Sequence, residues 1–318
     1  MFDNLKTNKE LLGHVVALVT SLVWGATFVS TKVLLDTFTP FEIMVSRFIL
    51  AFLFLCAIRP RILKTKQKRH EFLFAAAGLT GVIGYFMLEN VALTMTTASN
   101  VSIAVDTAPM FIALIATVIG FERALKPNFV MGFVIAMAGV LLISIPFAQL
   151  GSSAPDSLIP GVFGVGELLA VSAALSWGVY SNIVARLGQL GYETLPATKR
   201  IFLWGLIWSV VLIPVFKPEV SIADYLSWET GGNLLYLGLI ASGCCFVTWG
   251  KAVEFLGPAR SGIYLYLQPV TTCLIAHFAL GEDFTLYMGI GVVLVLGGLI
   301  FAQRRFEHIF EKKKRETI

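Results

Sequence analysis

Apolar residues run through this chain in ten long blocks separated by short polar stretches. In the first half the blocks are roughly Leu11–Leu35, Pro40–Ile58, Glu71–Leu93, Thr97–Phe121 and Asn128–Pro146. In the second half they are Val162–Leu187, Pro196–Phe216, Gly231–Phe255, Pro258–Leu280 and Thr285–Phe301. Each is close to the roughly 20 residues with which a helix crosses a hydrocarbon core. The pattern predicts an all-α membrane protein of ten transmembrane helices. Thr94–Thr96 allows only a tight turn between the third and fourth. The longest Gly/Ser/Pro-rich stretch is Gln149–Gly161, the natural link between two halves. The predicted organisation is a cytoplasmic tail (1–10), a five-helix unit (11–146), an external linker (147–161), a second five-helix unit (162–303) and a basic cytoplasmic tail (304–318).

The two halves repeat one another. Trp24-Gly25 precedes Arg47 by the same 23 residues that separate Trp177-Gly178 from Arg200. Pro109 and Glu122 are 13 apart, as are Pro269 and Glu282. Five spans per half is an odd number, so the second copy enters the membrane in the opposite sense. The expectation is a pair of inverted five-helix repeats, an architecture that suits alternating access.

Composition agrees. Charged residues are 14% of the chain, hydrophobic residues 57%, and the mean hydropathy is +0.80, whereas soluble domains carry about 25% charged residues. With the N-terminus in the cytoplasm, 18 Lys and Arg fall in inside loops and tails and only Lys217 outside. Both termini are therefore expected in the cytoplasm. The runs Arg59–Arg69 and Lys312–Arg315 read as anchors to anionic lipid. Nothing points to nucleic acid. Cys56, Cys244, Cys245 and Cys273 lie in apolar runs without CxxC spacing, which argues against disulfides and thiolate metal sites. No metal or other cofactor is expected. A phosphate-binding Gly-rich loop is absent, so ATP is not the direct drive. Intramembrane carboxylates stand alone, with no HxxxxD or DxxD, which leaves no catalytic residues for a lipid-modifying enzyme.

The candidate chemistry lies at mid-membrane. Trp24 and Trp177 sit away from the interfacial belt where Trp collects. They read either as a stacking wall for a solute, with Phe28 and Tyr180 at helical spacing, or as packing against Gly25 and Gly178. Glu89 and Asp106 are the deepest carboxyls of the first half. A charge there costs at least ~2.5 kcal/mol, so each is a candidate for solute or proton binding or for pairing with Arg47 or Lys251. Arg47, Arg200 and Lys251 could capture an anionic group or bridge helices. Pro109 and Pro269 free the carbonyls of Val105 and Leu265, as a hinge or a simple kink. Glu122 and Glu282 read as loop residues or gates, and His14 and His277 as packed or hydrated.

The pattern resembles the drug/metabolite transporter superfamily, in particular permeases with two EamA domains. The resemblance rests on Trp24-Gly25, Phe28, Trp177-Gly178, Glu89-Asn90, Ala92-Leu93, Thr97-Ala98-Ser99, Pro109 and Glu122. In the second copy it continues with Ala252-Val253, Leu256-Gly257-Pro258, Tyr264, Pro269 and Gly281-Glu282. It spans about residues 11–303. The resemblance implies a central cavity lined by helices one, three, four, six, eight and nine, and movement of small organic solutes, often outward. Residues and resemblance together give a secondary transporter, an exporter of amino-acid-like metabolites or drugs in a bacterial inner membrane. A channel or scaffold is the alternative. The expected solute site is Trp24, Tyr85, Glu89, Asp106, Trp177, Tyr180, Trp249, Tyr264, Tyr266 and Gln268. Protons are the candidate coupling ion; oligomeric state is left open.

The orientation is testable in intact cells. Ser153→Cys is expected to react with an impermeant thiol reagent and Lys66→Cys to be protected. The opposite labelling reverses the orientation.

Overall fold

The computed structural model describes residues 2–61, 63–121, 126–144, 157–159, 163–219, 221–280 and 286–303. Glu122, Glu282, most of the linker and the 304–318 tail lie outside the described residues. The helices are α1 (Phe2–Leu34), α2 (Pro40–Ile58), α3 (Lys68–Met95), α4 (Ala98–Val118) and α5 (Pro127–Ser144). The second half has α6 (Val165–Gln189), α7 (Thr194–Phe216), α8 (Trp228–Leu256), α9 (Pro258–Leu280) and α10 (Leu286–Gln303). Eight are long and apolar enough to cross a membrane; α5 and α10 carry the shorter apolar stretches Pro127–Gly139 and Gly289–Gly298. Outward faces are apolar, with Phe72, Val118, Val210, Phe278 and Val293 all exposed. Such a surface suits lipid rather than water. The chain is an all-α integral membrane protein.

Local sequence sets the helix starts. Thr39 and Glu42 form a reciprocal cap on α2, the Thr39 hydroxyl accepting from the Glu42 N–H and the Glu42 carboxylate from the Thr39 N–H. The second half starts later than the expected Val162. Ser157–Ile159 (β1) and Phe163–Gly164 (β2) pair as a small antiparallel hairpin, and α6 begins at Val165, where the Glu167 carboxylate accepts from the Gly164 N–H at 2.9 Å.

Packing follows the repeat. α1 packs on α8 and α9, and its counterpart α6 packs on α3 and α4. α2 packs on α8 as α7 does on α3, while α2 meets α7, α4 meets α9 and α5 meets α10. Exchanging the halves leaves this pattern unchanged, as a two-fold relation requires. Gly25 and Gly178 allow the closest approaches. A Cβ on Gly25 would stand 2.8 Å from the Gln268 carbonyl of α9, and one on Gly178 would stand 2.8 Å from Phe111 of α4. Only glycine admits backbones so near.

Two departures from regular α-helix also match. Leu79–Gly84 in α3 and Tyr236–Cys244 in α8 are wide π-helical turns, and both end at positions 160 residues apart. Such turns redirect carbonyls that an α-helix would use internally. In α8 the Ala241 carbonyl accepts from the Trp24 indole at 2.8 Å. In α3 the Thr80 carbonyl accepts from the Ser176 hydroxyl at 2.9 Å. Each first helix of a repeat is thus tied to the wide turn of the other half.

Polar side chains divide between two ends. At one end Arg59 pairs with Glu193 (2.5 Å), Arg260 with Glu10 (2.7 Å), and the Lys199 ammonium donates to the Arg59 and Arg61 carbonyls. At the other, Lys32 caps α3 through the Leu93 and Thr96 carbonyls, and the Thr96 hydroxyl donates to Glu167. All of the first group lie in or beside segments expected on the cytoplasmic side, and all of the second beside segments expected outside. The two groups do not mix.

The tightest internal contact tests the packing. A Cβ at Gly81 would overlap the ring of Tyr180, a fully buried residue of α6. Gly81→Ala is expected to lower thermal stability by about 1–3 kcal/mol, the usual cost of overpacking. Tyr180→Ala in the same background should recover part of it. Additive losses in the double variant would contradict the contact.

Candidate functional site

A small cavity sits where the two halves meet. It is lined by Trp24, Thr27 and Phe28 of α1, Arg47 of α2, Tyr85, Phe86 and Glu89 of α3, and Val105 and Ala108 of α4. Trp177 of α6, Phe246 of α8, and Leu265 and Gln268 of α9 complete it. Its volume is about 20 Å³, room for about one water. This space is too small for an organic solute, which fits only if helices part.

Its walls are aromatic. Trp24 and Trp177 meet edge to face with centroids 5.2 Å apart and planes at 89°. Phe246 packs 5.7 Å from Trp24 and 5.5 Å from Trp177, and Tyr85 lies 4.9 Å from Trp177. Edge-to-face pairs of this kind fix ring positions.

Four pairs of repeat mates line the cavity: Trp24 with Trp177, Phe86 with Phe246, Val105 with Leu265, and Ala108 with Gln268. The cavity therefore sits on the relation that exchanges the halves. The helix breaks contribute directly, because Val105 and Leu265 are the residues whose carbonyls Pro109 and Pro269 leave without a proline donor. In α4 the helix stops at Val105 and restarts at Ala108. In α9 a 3₁₀ turn over Ile263–Leu267 precedes Gln268.

The charges break the symmetry. Arg47 and Glu89 both line the cavity, and both come from the first half. Arg47 is buried, donates through Nε to the Ser242 hydroxyl at 3.0 Å, and lies 4.2 Å over the Phe86 ring. One of its terminal nitrogens has no hydrogen-bond partner. Tyr85 lies one turn before Glu89 on the cavity wall, and the Glu89 Oε2 has no hydrogen-bond partner. No ion pair joins Arg47 to Glu89 among the described residues. A guanidinium and a carboxyl group thus face one small cavity, each with unused hydrogen-bonding capacity.

The other expected site residues lie elsewhere. Arg200, the repeat mate of Arg47, is spent in an ion pair with Glu71 at 2.8 Å, which the Trp204 indole also contacts. Lys251 pairs with Glu254 at 2.7 Å and is partly exposed. Neither reaches the cavity. Trp249 packs behind the wall, 5.3 Å from Trp24. Tyr180 backs Trp177 at 4.8 Å. Tyr264 meets His14, the two bonded at 2.8 Å, against Ala17 and Leu256. Tyr266 and Asp106 are fully buried but outside the cavity lining. Of the residues expected at the solute site, Trp24, Tyr85, Glu89, Trp177 and Gln268 line this one cavity. Sequence reasoning missed Phe86 and Phe246, although identical residues 160 apart within matched helices were a usable sign. Among the described residues no group of three His, Cys, Asp or Glu could hold a metal.

Comparison with known proteins accords with this geometry. The chain is 28% identical over 290 residues to an "Uncharacterized transporter" of Archaeoglobus fulgidus, covering 90% of this chain and 95% of that protein. It is 26% identical over 306 residues, 95% of each chain, to a "Probable terminal-alkyne amino-acid exporter" of Streptantibioticus cattleyicolor. It is 24% identical to the "Uncharacterized transporter YyaM" of Bacillus subtilis, covering 92% and 94%. A crystal structure at 21% identity superposes with a TM-score of 0.72 over 93% of this chain and 96% of that one, so the fold is shared. The EamA-like transporter family matches residues 11–145 and 164–303, once in each half, and the chain belongs to that family of membrane transporters.

Proposed function

We propose that this protein is a secondary exporter of small zwitterionic solutes of the amino-acid class, working by alternating access between two inverted repeats. One observation carries the reading. Arg47 and Glu89 face a single aromatic-walled cavity without pairing with each other. A carboxylate matches the guanidinium and an ammonium matches the carboxylate, while Trp24 and Trp177 suit an apolar side chain. An uncharged solute would leave both groups desolvated without partners, which is costly. The direction of transport is supported by the exporter named among the relatives. Ten spans, both termini in the cytoplasm and a bacterial inner membrane complete the proposal, with a proton as counter-ion.

The packing supports alternating access. The cavity lies between α1 and α6, each tied to the other half's wide turn and broken helix. Rocking of one tied pair would open one end. The same motion of its repeat mate would open the other.

Thermal-shift measurements on purified protein with leucine, its amide and its decarboxylated amine test the reading, since a ligand that binds only the folded state raises its apparent stability. Leucine is expected to stabilise most. Arg47→Gln and Glu89→Gln should each weaken leucine binding by roughly 1.5–3 kcal/mol, the range for hydrogen bonds to charged groups. Arg200→Gln should leave it unchanged, because that side chain is committed to Glu71. Equal stabilisation by the amine, insensitive to Arg47→Gln, would favour a cationic solute instead.

A further inference from the structure

Among the described residues, Asp106 is a fully buried carboxyl of the expected solute site that does not line the cavity. It is fully buried at the interruption of α4, directly after Val105 and three residues before Pro109. Both carboxyl oxygens lack a hydrogen-bond partner. Behind it, in the cluster shared by α4, α5, α9 and α10, Tyr266 is fully buried and its hydroxyl also lacks a partner. These residues are repeat mates, at the matched breaks of α4 and α9. Two unsatisfied polar groups facing the same broken-helix layer are unusual in a packed interior.

Few charges could compensate Asp106. Among the described residues it has no ion pair and no hydrogen-bond donor. On α1, His14 is bonded to Tyr264 and Lys32 to the carbonyls that end α3. On α6, Tyr180 packs on Trp177 and Glu167 is held at Gly164 and Thr96. Arg47 lines the solute cavity, where it donates to Ser242 and lies over Phe86. An ionised carboxylate with no cation and no donor is strongly unfavourable at this depth, and the neutral acid avoids that cost.

We propose that Asp106 is a proton-binding site separate from the solute cavity. In the closed conformation it is the carboxylic acid; when the α4–α9 breaks open to water it releases the proton to water and is hydrated as the carboxylate. The site is linked to the cavity along α4, because Asp106 directly follows Val105, which lines it. A solute that displaces Val105 on entering the cavity moves the α4 break that holds Asp106. The coupling role rests on the transporter reading above; the protonation itself does not.

Infrared spectroscopy of the full-length protein in lipid near neutral pH tests the site without any solute. The carbonyl-stretch band of a protonated carboxylic acid is expected in the wild type. It should vanish in Asp106→Asn and shift in frequency in Asp106→Glu, and Tyr266→Phe should perturb it. The band should persist in Glu89→Gln. If Asp106→Asn fails to fold, the frequency shift in Asp106→Glu decides alone. Absence of the band in the wild type, or its loss only in Glu89→Gln, would overturn the proposal. Either result would leave the thermal-shift test of the cavity unaffected.

Discussion

A guanidinium in an apolar interior needs donors satisfied and charge answered, and Arg47 has only part of both. Its Nε reaches Ser242, its plane covers Phe86, and a terminal nitrogen remains without a partner. Leaving a charge so placed is expensive unless something completes it. The surrounding architecture makes sense around that deficit. The wide turn of α8 brings Ser242 under Arg47 and turns the Ala241 carbonyl to Trp24. Aromatic rings hold the remaining wall, and Glu89 presents the complementary charge across the cavity without closing the pair.

The scaffold is doubled and the chemistry is not. Matched glycine contacts, wide turns, broken helices and tryptophans come from both halves. Duplication gives two equivalent ways to pack, which a transporter can use to open either end. The same duplication would place arginine at two sites, and the second half diverges there: Arg200 is neutralised by Glu71 near one end of the bundle. Trp249 stands where the first half has Glu89, and Tyr266 where it has Asp106. A solute with one anionic and one cationic group requires such one-sided chemistry.

Much of this was legible in sequence because the membrane simplifies the problem. Apolar block length fixed the helices, and the Trp-Gly, Arg and Pro spacings gave the pairing of halves, since each marks a physical need: close approach, a buried charge, a lost donor. The wide turns of α3 and α8 were not legible, because Leu79–Gly84 and Tyr236–Cys244 read as ordinary apolar helix. Site membership was half legible. Depth identified polar residues worth examining, but rotation about each helix axis decided their company. Lys251 and Trp249 are two residues apart and point to different surroundings, one to Glu254 at a partly exposed edge and the other to Trp24. Tyr264 and Tyr266 diverge in the same way, to His14 and to the α4–α5 cluster. The 3₁₀ turn that carries both was not foreseeable from periodicity, because it changes the angle between successive side chains.

The central claim is that one cavity recognises two opposite charges on the same solute. Counterflow in liposomes containing the purified protein tests it most directly, with radiolabelled leucine as the traced solute. The account predicts saturable leucine exchange that unlabelled leucine inhibits, with its amide and its decarboxylated amine at least roughly tenfold weaker, as loss of one charged contact implies. Exchange inhibited equally by the amine and by leucine, or no leucine exchange beside robust exchange of a singly charged solute, would contradict it.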